Sequence, residues 1–234
     1  MIQSSTGRTV RKWPLWWRWV AANSLAEILG LGATLALGYL IFTGVGEPQN
    51  ALAAVGSVLL VTSLAVLEGL AVGLLQGSVL RLVLPQISRG SWLWATLAGA
   101  LVAWFLGSLP STFMGLGGDA GSTPAQEPEA GLVLLMAAAM GLFLGFILGL
   151  PQWWVLRQAV KRAWIWIPAN SVGWALGMPI VFAAVDLAYK TGSTAGAVVT
   201  MTVALALTGA VVGAVHGTAL IWLASQTRFG ARPG

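Results

Sequence analysis

Six long apolar runs decide what this chain can fold into. They are Leu15 to Phe42, Ala51 to Leu82, Ser91 to Leu109, Leu132 to Val160, Ala163 to Leu187 and Ala195 to Ala224. A helix crosses a hydrocarbon core of about 30 Å with about 20 residues, so each run predicts one transmembrane helix. Every backbone N–H and C=O inside a bilayer needs a partner within the protein, which leaves only helices and closed barrels. Barrel strands are about 10 residues long and alternate in polarity with period two. These runs are longer and apolar on all sides, and only 8% of the 234 residues are charged, against about 25% in a soluble domain. The expected fold is a single all-α integral membrane domain over residues 1–234.

The net charge of +5 would point to nucleic acid in a soluble protein. Its placement points elsewhere. Under the six-helix reading Arg8, Arg11, Lys12, Arg18, Arg81, Arg89, Arg157, Lys161, Arg162, Arg228 and Arg232 fall on one side. Lys190 falls on the other, with Glu47, Asp119, Glu127 and Glu129. Basic residues stay cytoplasmic, so both termini are expected inside and the expected location is a bacterial inner membrane. The basic start precedes an apolar segment too long for a signal-peptide core, so it is read as a retained first helix.

Internal repetition organises the runs. From Gly145 the chain reads GFILGLPQWWVLR, from Gly69 GLAVGLLQGSVLR, and from Gly209 GAVVGAVHGTALIW. The shared unit is G-x3-G-x2-[Q/H]-x3-L. The outgoing helices repeat too: Trp17, Trp19, Ala22, Asn23, Ser24 and Gly30 match Trp164, Trp166, Ala169, Asn170, Ser171 and Gly177, while Trp92 and Trp94 supply a middle copy with Ala98 and Gly99 in place of Asn-Ser. These patterns predict three αα-hairpins at 14–82, 91–158 and 163–224. All run the same way, so parallel repeats with pseudo-three-fold symmetry are expected. The one sizeable loop, 110–131, lies on the outer side.

Glycines every fourth residue (69, 73, 77; 141, 145, 149; 209, 213, 217) clear one stripe of each returning helix for close backbone approach. Such stripes suit packing of the returning helices about the axis, or docking of another subunit. Tryptophan and arginine at helix ends anchor membrane proteins at the headgroup level. The candidate lipid anchors are Trp17, Trp19, Trp92, Trp94, Trp153, Trp154, Trp164 and Trp166, with Arg81 and Arg157.

Two sets of polar residues lie deeper. Asn23, Gln76, Gln152, Asn170 and His216 fall about 6 to 8 Å inside the basic interface at 1.5 Å per residue. Amides there need partners; interhelical hydrogen bonds or a headgroup or ligand site would supply them. His216, the only histidine, is the candidate ligand for a metal or for a tetrapyrrole pigment. Glu27 and Glu68 are deeper, about 13 and about 20 Å in. An intramembrane carboxyl is held neutral, paired, or faces a wet cavity, so both are candidate proton or ion sites. Asn23, Glu27, Gly30 and Thr34 form a polar track on one helix face. Asp186 and Lys190 are spaced for an exposed ion pair. Pro151 and Pro179 are expected to kink their helices.

No H-E-x-x-H, phosphate-binding loop or G-x-S-x-G is present, and the chain has no cysteine; an enzyme is not expected. The Q-W-x2-L-R step, the W-x-W-x2-A-N-S entry and Gly173-Trp174-Ala175-Leu176-Gly177 resemble those of uncharacterised bacterial multi-pass proteins built from similar repeats. That resemblance implies a packing motif and no assigned activity. The expected function is a non-enzymatic accessory or scaffold subunit of a larger membrane complex, in contact with lipid or pigment and with other membrane subunits. The alternative is a small-molecule or ion transporter that uses Glu27 and Glu68.

Overall fold

A computed structural model describes residues 2–3, 9–46, 48–114 and 128–226. Glu47, Asp119, Glu127, Arg8, Arg228, Arg232 and most of the expected 110–131 loop lie outside the described residues. Six helices are long and apolar enough to cross a membrane: α1 (Lys12–Val45), α2 (Ala51–Leu80), α3 (Arg89–Met114), α4 (Ala130–Leu156), α5 (Trp166–Lys190, entered through a 3-10 turn at Ala163–Ile165) and α6 (Thr194–Ala224). They make the protein an integral membrane protein of the all-helical class. Outside the spans, Ile2–Gln3 pairs antiparallel with Thr9–Val10, a short strand pair ahead of α1 that hydropathy does not signal.

Two of the helix starts at the far end from the basic loops, those of α2 and α6, are set by side-chain caps. Asn50 Oδ1 accepts the Ala53 N–H at 2.9 Å, and Ser193 Oγ accepts the Gly196 N–H at 3.1 Å; each satisfies a donor that the first turn leaves free. Pro151 and Pro179 sit within continuous helices, as does Pro110 in α3. The outer surface is apolar almost all round, with Tyr39, Leu40, Leu52, Leu135 and Val199 among the exposed side chains, as a lipid-facing belt requires.

Each helix packs chiefly on its neighbours in sequence, and α6 closes against α1. The bundle is therefore a ring. The glycine stripes do not face one another about the axis; each meets the outgoing helix of the following hairpin. A Cβ on Gly69 would lie 2.9 Å from Leu97 Cδ2 of α3, one on Gly145 2.6 Å from the Asn170 carbonyl oxygen of α5, and one on Gly209 2.5 Å from Ser24 Cα of α1. Small residues are needed because backbone meets backbone there. The described stripes are thus covered by this chain itself, which removes them as free faces for another subunit.

The basic end is sealed. Leu15, Trp19, Leu80, Leu84, Trp92, Leu156, Val160, Trp166 and Leu220 form one buried cluster, into which the turns after α2 and α4 fold back. Toward the opposite end Leu31, Val181 and Leu205 form a second cluster, flanked by Ile28, Leu35 and Trp104. Between the two lie the polar side chains.

Candidate functional site

Residues two apart on an α-helix point about 200° apart at 3.6 residues per turn. Only one member of each W-x-W pair can therefore face the interior. Trp19, Trp92 and Trp166 are each 0% exposed, whereas Trp17, Trp94 and Trp164 are 51%, 72% and 58% exposed. This corrects the anchor assignment: Trp19, Trp92 and Trp166 are core residues and do not reach the lipid interface. Their rings meet edge to face, Trp166 lying 5.8 Å from both Trp19 and Trp92. On the outside, Trp154 is exposed and the Arg157 guanidinium sits over its ring at 3.1 Å, with half-buried Trp153 beside it. Arg81 is exposed at the end of α2.

One turn inward from each buried tryptophan stands a polar side chain that bonds back to it. Asn23 Nδ2 donates to the Trp19 carbonyl (2.8 Å), Thr96 Oγ1 to the Trp92 carbonyl (2.9 Å) and Asn170 Nδ2 to the Trp166 carbonyl (3.1 Å). The middle member is Thr96. Aligning Trp94 with Trp19 puts Ala98 and Gly99 here, two residues out of step; the inward ring is Trp92. Counting back four residues from a threonine or asparagine to a tryptophan would have found it.

The glutamines of the returning helices join these groups into a network. Gln76 Nε2 donates to Asn23 Oδ1 at 2.8 Å, and Gln152 Nε2 donates to Thr96 Oγ1 at 3.0 Å and lies 3.5 Å from Gln76 Oε1. The Trp166 Nε1–H donates to Gln152 Oε1 at 2.8 Å. Gln76, Gln152, Asn23 and Asn170 are all nearly inaccessible. For Gln76, Gln152 and Asn23 interhelical bonding accounts for the burial, whereas Asn170 bonds back to its own helix.

His216 differs. It is 2% exposed, yet neither Nδ1 nor Nε2 has a hydrogen-bond partner. Its ring lies 5.2 Å from that of Trp166. The space it occupies exists because residue 173 is glycine: a Cβ there would lie 3.2 Å from His216 Nε2.

The acids lie one and two turns further in. Glu27, 1% exposed, opens a single π-helical turn at Glu27–Leu31 within α1. Such wide turns insert a residue into the helical register and occur often at functional sites. In the same turn Gly30 lets α2 approach until its Cβ position is 2.6 Å from Glu68 Cα, which brings the two acids close enough to interact electrostatically. Thr34 Oγ1 donates to the carbonyls of Gly30 and Leu64 (2.9 and 3.1 Å) and ties the two helices just beyond. Glu68 Oε2 accepts the Trp104 indole N–H at 2.6 Å, a partner that hydropathy alone could not have indicated. Glu27 Oε2 and Thr208 Oγ1 are buried without partners.

A small central cavity of about 20 Å³ joins the two levels. Its lining includes Glu68, Gln76, Thr96, Gln152, Asn170 and His216, together with Trp174. Of the deep polar candidates, all but Asn23 and Glu27 border it directly. It is large enough for about one water. A cavity of about 20 Å³ leaves no room for a tetrapyrrole macrocycle beside the imidazole in this conformation. Among the described residues no group of three histidine, aspartate or glutamate side chains is gathered for a metal ion, so His216 is not one member of such a set. Asp186 and Lys190 form an exposed ion pair at 2.7 Å at the far end of α5. No protein-family model, curated protein or solved structure matches this chain.

Proposed function

We propose that this integral membrane protein takes up a proton or a small cation in an occluded polar site at the centre of its helical ring, as a non-enzymatic transporter. One observation carries the reading: titratable side chains on α2 and α6, Glu68 and His216, border one small cavity, with buried Glu27 beside Glu68. Desolvated polar groups without partners are destabilising by about 1–3 kcal/mol each, and Glu27 Oε2, Thr208 Oγ1 and both nitrogens of His216 are in that state. A carboxyl so placed is relieved by a proton or a cation. The cavity volume narrows the cargo, because about 20 Å³ admits nothing larger than a water or a bare ion in this conformation.

Within this proposal the hairpins are parallel repeats about a pseudo-three-fold axis. The three tryptophans, the Asn-Thr-Asn set behind them and the three glycine contacts support that arrangement. The eight described basic residues from Arg11 to Arg162, set against Lys190 at the other end, support cytoplasmic termini and an inner-membrane location. Purified protein in liposomes carrying an internal dye for pH, sodium or potassium tests the activity under an imposed potential, with the matching ion supplied outside. Flux above that of protein-free vesicles for one of them is expected; flux equal to the empty vesicles for all three rejects the reading.

A second reading, an accessory subunit of a larger complex, is favoured by a lateral feature. An open apolar groove of about 620 Å³ runs between α5 and α6, lined by Pro179, Ala183, Leu187, Val199, Val203 and Leu207. A transmembrane helix of a partner would fill it. Native mass spectrometry after mild solubilisation distinguishes the two: a stoichiometric membrane partner supports the accessory role, and a clean monomer rejects it.

A further inference from the structure

We propose that His216 is a proton station, linked to the Glu68 carboxyl through one water in the central cavity. The inference rests on the occluded-site reading above and names its cargo as the proton. A neutral imidazole has one N–H donor and one bare nitrogen acceptor; here both are buried and unpartnered, on a side chain that lines the cavity. A buried water makes two to four hydrogen bonds. Glu68, Gln76, Thr96, Gln152, Asn170 and His216 offer them around a volume of about one water.

The step is a relay. A proton leaves the Glu68 carboxyl for the water while another proton of that water passes to the free imidazole nitrogen, and the water is regenerated. No other bond forms or breaks. The resulting carboxylate keeps the Trp104 indole N–H on Oε2. The resulting imidazolium lies 5.2 Å from the Trp166 ring, within the roughly 6 Å over which an aromatic face attracts a cation. The helices packed on α6 are α1 and α5. From α1 the titratable group in this region is Glu27; α5 presents Asn170, Trp166 and Trp174, all neutral. The remaining cavity walls are neutral too, apart from Glu68.

The chain carries its own control. Glutamine occupies the matching position in α2 and α4, as Gln76 and Gln152, so His216→Gln keeps an amide-tolerant fold and deletes only the titratable ring. In proteoliposomes, His216→Gln is expected to lower proton flux at least about tenfold, as loss of an acid–base group does, with thermal stability retained. Gly173→Ala, which presses a methyl onto Nε2, is expected to lower it too. Because there is only one histidine, ¹⁵N-histidine labelling of tag-free protein in nanodiscs yields a single imidazole to follow. Those imidazole signals are expected to differ between the wild type and Glu68→Gln at one fixed pH, because the two groups share the cavity. Wild-type flux with a silent His216→Gln substitution, or imidazole signals indifferent to Glu68→Gln, overturns the relay while leaving the occluded-site reading intact. No wild-type flux of any ion rejects the latter.

Discussion

Two sides of one polar layer sit at the same depth and are equally buried, yet they are built differently. On the amide side Gln76, Gln152, Asn23, Thr96 and the Trp166 indole satisfy one another in a continuous set of hydrogen bonds. On the imidazole side His216 satisfies nothing and is satisfied by nothing. Burial is thus no guide to role in this layer. The bonded amides hold helices together, whereas the unbonded imidazole is open to a proton or a water. The Trp19 and Trp92 indole N–H groups are buried without partners too, so what sets His216 apart is that its unbonded ring can titrate.

The contrast can be broken most severely at the backbone contact supporting the amide side. Gly145→Ala puts a Cβ 2.6 Å from the Asn170 carbonyl oxygen, so α4 and α5 must separate, with an expected loss of about 3 kcal/mol in reversible unfolding from mixed micelles. Next, Gln152→Leu leaves the Trp166 N–H without its acceptor and is expected to cost about 2 kcal/mol in the same assay. Gln76→Leu removes the donor to Asn23 and should cost about 0.6 kcal/mol, the average for interhelical bonds in bilayers. His216→Gln comes last: no bond is lost, so its effect on unfolding should fall below that 0.6 kcal/mol. If His216→Gln destabilised more than Gln152→Leu, the imidazole would be a structural element and the distinction would collapse.

Hydropathy was sufficient for the six spans, because chain length in hydrocarbon is a one-dimensional constraint. The face of each helix was not legible in the same way. In water an inward face is apolar and an outward face polar, but in lipid Leu40 outside and Leu31 inside carry the same side chain. Composition therefore puts Trp19, Trp92 and Trp166 at the interface beside Trp17, Trp94 and Trp164, although the two-residue spacing forbids both members of a pair from facing one way. The polar candidates were readable because an amide or acid inside a membrane has to face protein, and the structure places them there. Thr96, Trp104 and Thr208 were missed: threonine and tryptophan are common at any depth, and only their partners distinguish them.

Closure of α6 against α1 has a topological consequence. The Trp16 indole bonds the Ala214 carbonyl and the Thr218 hydroxyl (3.2 and 3.3 Å), so the first and last helices are as much neighbours as any consecutive pair. The ring has no natural seam. A circularly permuted chain, joined by a linker between the old ends and opened at Thr191–Ser193, would meet every native neighbour again and is expected to keep the parent's unfolding profile. Order of synthesis and order in space are, for this fold, separable.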